Sequence, residues 1–214
     1  MNPKPAEVVV VLGKEHGCKD VALMKSIYPG VIIVKYPKPA SFGKLRNIGI
    51  AKTTSEWTWF VSVDDKPMPD AITTFERALS EKGEADYICA KWYTIGLGKP
   101  LMEHRSPTPI DSAIRMQSGK GMGFIIPHSP FKRFLWQKHK YVHTDLPNYD
   151  FVLGCVNNGA RFIQSDIPTT TYLRRSDSHA RTKLLTRTIK RQANLQKKLM
   201  QNGIREYYKD KIKT

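Results

Sequence analysis

The sequence predicts an α/β fold: one domain on a mixed central sheet, followed by a basic helical extension, and three observations carry that expectation. Glu7–Gly13 (EVVVVLG) is an unbroken β-branched run closed by glycine, the pattern of a strand buried on both faces. Trp57–Val63 (WTWFVSV) is a second such run, aromatic and β-branched, and it stops abruptly at two adjacent carboxylates, Asp64 and Asp65. Segments with helical spacing alternate with these runs, which is how α/β sheets are built. Acids at the carboxyl end of a central strand lie where open α/β sheets bind ligands, and a pair there can hold a divalent ion against a phosphorylated molecule; the other reading is two solvated turn acids.

In order along the chain, Val21–Tyr28 reads as a short helix, stopped by Pro29-Gly30 and leading into a strand Val31–Tyr36, so the chain opens as a βαβ unit. Phe42–Thr53 is predicted helical, with Leu45 and Ile48 on one side and Lys44, Arg46 and Asn47 near the ligand edge. Asp70 is placed to cap a helix Ala71–Leu79, and Asp86–Tyr93 returns to the sheet. Thr94–Ser118, rich in Gly, Pro and polar residues, reads as a long loop or a pair of edge strands. Gly119–Pro127 approaches another strand; its glycines match neither a P-loop nor a dinucleotide fingerprint. Helices follow at Phe131–Lys138 and Tyr149–Asn157, the latter stopped by Asn158-Gly159, then a last strand Arg161–Ile167 before Pro168. From Ala180 to about Met200, Leu185, Ile189 and Ala193 recur at helical spacing. The domain is expected over residues 1–175 and the extension over 176–214.

With 214 residues, 40% hydrophobic and 10% aromatic, the chain can build a real core, which excludes wholesale disorder. No segment approaches a membrane span, and the N-terminal apolar run is too short for a signal-peptide core. Cys18, Cys89 and Cys155 are odd in number and scattered, so they indicate neither a disulfide framework nor a zinc module, even with His16 beside Cys18; a reducing cytoplasm is the expected location. The net charge of +16 is uneven: residues 174–214 hold 13 Lys/Arg against three acids. Such asymmetry predicts a polyanionic partner, either nucleic acid or an anionic membrane surface.

Three segments in fixed order carry a family resemblance: Lys44-Leu45-Arg46-Asn47-Ile48-Gly49, then Ser62-Val63-Asp64-Asp65 with Pro69-Asp70-Ala71 behind it, then Asn148-Tyr149-Asp150-Phe151 with Gly159 and Tyr172 downstream. Over roughly residues 7–175 the chain resembles a family 2-type glycosyltransferase with the A-type nucleotide-sugar fold. The resemblance implies a nucleotide-sugar donor, expected to be a UDP-sugar, and Mn²⁺ or Mg²⁺ clamping its diphosphate, with Asp64 the first metal ligand and Asp65 and His179 further ones. It places Lys44, Arg46, Asn47, Ser62, Arg174, Arg175 and Arg181 on the donor. Gly121, Met122, Gly123, Asn148 and Tyr149 fall on the acceptor side.

Two departures stand out. Where inverting relatives carry a Glu-Asp pair whose Asp deprotonates the acceptor, this chain has Pro147 and Asn148, and an amide cannot take a proton. The base is then Asp150 or Asp145, or the mechanism is retaining. The Asp-rich turn that reads uracil and ribose in relatives is replaced by Pro37-Lys38-Pro39. By analogy with phage enzymes that glycosylate their own genome, the charge suggests DNA with a hydroxymethylated base as acceptor, in a host cytoplasm; a glycan or glycolipid acceptor, or an inactive nucleic-acid-binding member of the fold, are the alternatives.

Overall fold

A computed structural model describes residues 3–14, 21–62, 65–96, 99–105, 108, 111, 128–142 and 147–173. The expected βαβ opening is there. Strand β1 (Val9–Gly13) lies parallel to β2 (Ile32–Tyr36), joined through helix α1 (Val21–Ile27). Helix α2 (Phe42–Ile50) starts at Ser41, whose hydroxyl accepts from the Lys44 amide at 3.3 Å. It ends three residues earlier than expected because the Thr53 hydroxyl donates to the Ile50 carbonyl at 2.8 Å and satisfies an orphan helix-end acceptor. At Gly49 a Cβ would sit 3.1 Å from Val11 Cγ2, so the missing side chain is what lets α2 lie close on β1.

Glu7 fastens the start of this unit. Its carboxylate accepts from the Thr54 and Ser55 amides at 2.9 and 2.8 Å and from both hydroxyls. The Ser55 hydroxyl first, then the two amides and the Thr54 hydroxyl, hold its pKa down to about 2, from an ordinary 4.5. A depressed carboxylate contributes stability that is complete above the unfolded value and is lost as pH falls through the folded one. Thermal midpoints measured from pH 4.5 down to pH 2 are therefore expected to fall faster for the wild type than for Glu7→Gln; parallel curves would remove Glu7 from this role.

The second sheet is mixed, with strand order β3-β7-β5-β8-β4, where β3 is Trp57–Thr58 and β4 is Lys66–Pro67, and with β6 also on β5. Its centre is β5 (Tyr87–Gly96), which runs parallel to β8 (Phe162–Leu173) along one edge. On the other edge it pairs antiparallel with β7 (Phe131–Lys132) at Tyr87 and with β6 (Lys99–Arg105) from Lys91 to Gly96. One of the two readings of Thr94–Ser118, an edge strand, is thus observed in part.

Alternation along β5 makes two cores. Tyr87 and Cys89 join Phe131, Leu135, Trp136, Phe151, Cys155 and Val156 under helices α4 (Arg133–Lys138) and α5 (Pro147–Asn157). Ile88 and Ala90 point the other way, to Ala71 and Phe75 of α3 (Ala71–Lys82). Fully burying a side chain such as Phe131 contributes roughly 1.5–3 kcal/mol. Helix α5 stops at Asn158-Gly159 as expected, with Gly159 at φ +72.

Three expectations are corrected. Trp57–Val63 was expected as a central strand, but β3 is only Trp57–Thr58, at the end of the sheet order. Its two tryptophans pack toward α3 instead: the Trp59 ring meets Phe75 edge-on at 5.1 Å while its indole donates to the His128 carbonyl at 2.9 Å. Asp70 occupies the N-cap position of α3 without a side-chain capping bond. The last strand does not stop at Pro168 but continues to Leu173. Pairing with β5 passes from Cys89↔Gln164 to Lys91↔Pro168, so β8 bulges just before the proline, where a residue without an N–H is tolerated.

Candidate functional site

Arg46 of α2 joins the three segments that matter. Its guanidinium lies 4.4 Å from the Phe60 ring centroid and 5.2 Å from that of Tyr141, and its Nη1 donates to Asn148 Oδ1 in the first turn of α5. The side chain is buried, and desolvation lowers its pKa, opposed by Tyr141 and Tyr87. No carboxylate pairs with it among the described residues, and its Nε has no acceptor there.

Neighbouring Asn47 works as a fastener. Its amide donates to the Tyr141 carbonyl at 2.7 Å, and its oxygen accepts from the Trp136 indole at 2.8 Å and the Tyr141 amide at 3.0 Å. One Asn thereby ties α2 to the chain after α4, which holds Tyr141 against Phe151 at 4.3 Å and against Arg46. Lys44 is more exposed, with its ammonium 5.2 Å from the Tyr36 ring at the end of β2.

Beyond Phe60 the Asp65 amide donates back to the Ser62 carbonyl at 3.0 Å. Asp65 was expected to share a metal ion with Asp64. In the structure its side chain is only 1% exposed and turns inward, Oδ2 lying 2.9 Å from His128 Nε2, which is equally buried. Asp65 Oδ1 and His128 Nδ1 face no partner among the described residues. Asp65 therefore braces the end of this segment from inside. His128 gave no periodic signal in Pro127-His128-Ser129-Pro130, and only the tertiary contact reveals it.

Asp150 differs in being about one-third exposed. Its Oδ2 lies 3.0 Å from His139 Nε2. The imidazole packs against Gly154, one turn further along α5, where an added Cβ would come 2.0 Å from ring atom Cδ2. A carboxylate and an imidazole within hydrogen-bond reach and open to solvent form a pair that can accept or hold a proton. His139 was missed because its partner is 11 residues away in a different helix.

Tyr149 lies in α5 with the helix backbone described. Asp64, Gly121, Met122, Gly123, Asp145, Arg174, Arg175, His179 and Arg181, like His16 and Cys18, lie outside the described residues, as does the expected helix from Ala180. Among the described residues no three His, Cys, Asp or Glu gather as a metal site. Burial pushes the Cys89 and Cys155 thiols well above their ordinary range, so neither is a nucleophile. None of the described helices is long and apolar enough to cross a membrane.

An α/β domain with this mixed sheet and with α2 and α5 meeting at one edge has the A-type glycosyltransferase architecture. Residues 2–140 match Glycosyl transferase family 2, and the chain belongs to that family. No curated protein matches it. Among solved structures it is similar to Staphylococcus aureus TarS 1-349 in complex with UDP, at a TM-score of 0.62 and 16% identity over 81% of this chain and 53% of that one. A mycobacterial protein gives 0.51 and 14% over 79% and 58%. The chain thus spans just over half the length of these structures, and at such identities the likeness is one of fold.

Proposed function

We propose that the protein transfers a sugar from a nucleotide donor, a UDP-sugar, to a hydroxyl group on a polyanionic acceptor, DNA with a hydroxymethylated base. The observation that carries the reading is the junction at Arg46: it lies in the first segment that resembles family 2, bonds Asn148 of the third, and packs on Phe60, two residues before the second. The family match and the fold shared with a UDP-bound TarS structure support the donor class. Asp64 would hold Mn²⁺ or Mg²⁺, and the residue types fit by chemistry, since the Asp64 carboxylate and the neighbouring Ser62 hydroxyl offer oxygen ligands to a hard cation, whereas Asp65 is turned inward to His128. When bound, such an ion would supply positive charge to the leaving diphosphate.

Asp150, backed by His139, is the acceptor-side base in this reading, taking the place of the acid absent at Asn148. The acceptor assignment rests on charge. Besides the basic extension, α4 carries Arg133 and Lys138 and is flanked by Lys132 and Lys140, each within 6 Å of an aromatic ring centroid. Cations set among aromatic rings suit a chain of phosphates and bases.

With Mn²⁺ and a panel of labelled nucleotide sugars at moderate salt, label is expected on hydroxymethylated DNA and absent from plain DNA, and its yield should fall steeply as salt rises. Equal labelling of a neutral oligosaccharide would replace DNA by a glycan acceptor. No release of nucleoside diphosphate from any donor would leave a binding protein without activity.

A further inference from the structure

His128 grips the acid-bearing segment at two points. Strand β3 ends at Thr58 and β4 begins at Lys66, and the connection between them carries Asp64 and Asp65. Ahead of the acids, the Trp59 indole donates to the His128 carbonyl at 2.9 Å. At the second acid, Asp65 Oδ2 lies 2.9 Å from His128 Nε2, with both side chains only 1% exposed. A carboxylate and an imidazole sealed from water attract each other in a low dielectric, so the contact resists displacement. The next two residues tie this grip to the centre of the sheet. Ser129 Oγ accepts from the Ala90 amide at 3.1 Å, and the Pro130 carbonyl accepts from the Ile88 amide at 2.9 Å, both donors lying on β5. The Asp65 amide in turn donates to the Ser62 carbonyl at 3.0 Å, so a shift of Asp65 disturbs the chain on the other side of residue 64 as well.

We propose that His128 is a positioning residue: by fixing Trp59 and Asp65 to β5, it holds Asp64 in place to bind the divalent ion. The role rests on the glycosyltransferase reading for the ion at Asp64, and His128 itself touches no ion. A metal ligand binds well only when its orientation is fixed in advance, and losing a group that supports a ligand commonly weakens metal binding by roughly 10–100-fold.

The test follows Mn²⁺ binding to the full chain through the EPR signal of the free ion, with neither donor nor acceptor present. The wild type is expected to bind an Mn²⁺ ion that Asp64→Asn abolishes. His128→Leu would leave the Asp65 carboxylate against hydrocarbon and can unfold the protein, so two amide variants are compared instead. His128→Gln brings an N–H close to the position of Nε2, whereas the side chain in His128→Asn is one methylene shorter. His128→Asn is expected to weaken Mn²⁺ binding by about 10–30-fold, and His128→Gln to stay within about threefold of the wild type. Thermal midpoints without metal are measured alongside, because a merely structural role would lower the midpoint and leave the Mn²⁺ Kd of the folded protein unchanged. Trp59→Phe retains an aromatic ring facing Phe75 and gives up the indole donation; it should weaken Mn²⁺ by about threefold, and it decides the matter where His128→Asn does not fold. An Mn²⁺ site that Asp64→Asn abolishes, but that His128→Asn and Trp59→Phe leave unchanged or that the two amide variants weaken equally, overturns the role of His128 alone. A wild type that binds no Mn²⁺, or binds it no better than Asp64→Asn, overturns the metal reading and this role with it.

Discussion

Asp64→Asn is expected to lower sugar transfer by about a thousandfold or more while leaving the thermal midpoint within a degree or so of the wild type. A divalent ion that neutralises a leaving diphosphate contributes several kcal/mol to the transition state, and each 1.4 kcal/mol is about tenfold in rate. An amide matches the carboxylate in size but offers the cation no charge. The fold has its own supports on both sides: Trp59 on Phe75 and the His128 carbonyl before Asp64, Asp65 against His128 after it. Rates measured against Mn²⁺ concentration, together with thermal denaturation, check both halves. Wild-type turnover with unchanged metal dependence would remove Asp64 from the site.

Gly154→Ala should be the most damaging single methyl group in the described structure. Its Cβ would come 2.0 Å from His139 Cδ2 and 2.1 Å from Cγ, so the imidazole must leave α5 and its pairing with Asp150 breaks. Overpacking of this kind costs about 3 kcal/mol, a fall of roughly 6–12 °C in midpoint for a domain of this size. Removing the ring first separates crowding from a helix effect: in a His139→Ala background the same glycine substitution should cost little, giving a large coupling energy in the double-mutant cycle. If Gly154→Ala melts with the wild type, or costs as much without the ring, His139 is not seated there.

Local chemistry made much of the architecture legible. The β-branched run of β1, the Pro29-Gly30 stop, the Ser41 start of α2 and the Asn158-Gly159 end of α5 each rest on the conformational preferences of a few adjacent residues, and each stands in the structure within one or two positions. The family resemblance likewise followed from short motifs in order. Trp57–Val63 misled because β-branched and aromatic composition reports burial, and burial against α3 satisfies it as well as ladder pairing does. Pro168 misled because a bulge supplied by the preceding residues removes the need for its missing N–H.

The sequence by itself determined the alternation of strands and helices, the family and the uneven charge, since all three are written in residue types and their spacing. Which polar groups meet was decided only by the tertiary structure. Arg46 and Asn148 are 102 residues apart, and whether a buried guanidinium finds a carboxylate, an amide or nothing depends on how α2 and α5 pack across Tyr141 and Phe151. The same holds for the two acid–histidine pairs. Asp65 with His128 is sealed and Asp150 with His139 is open to solvent, and that difference in exposure separates a brace from a group able to exchange a proton.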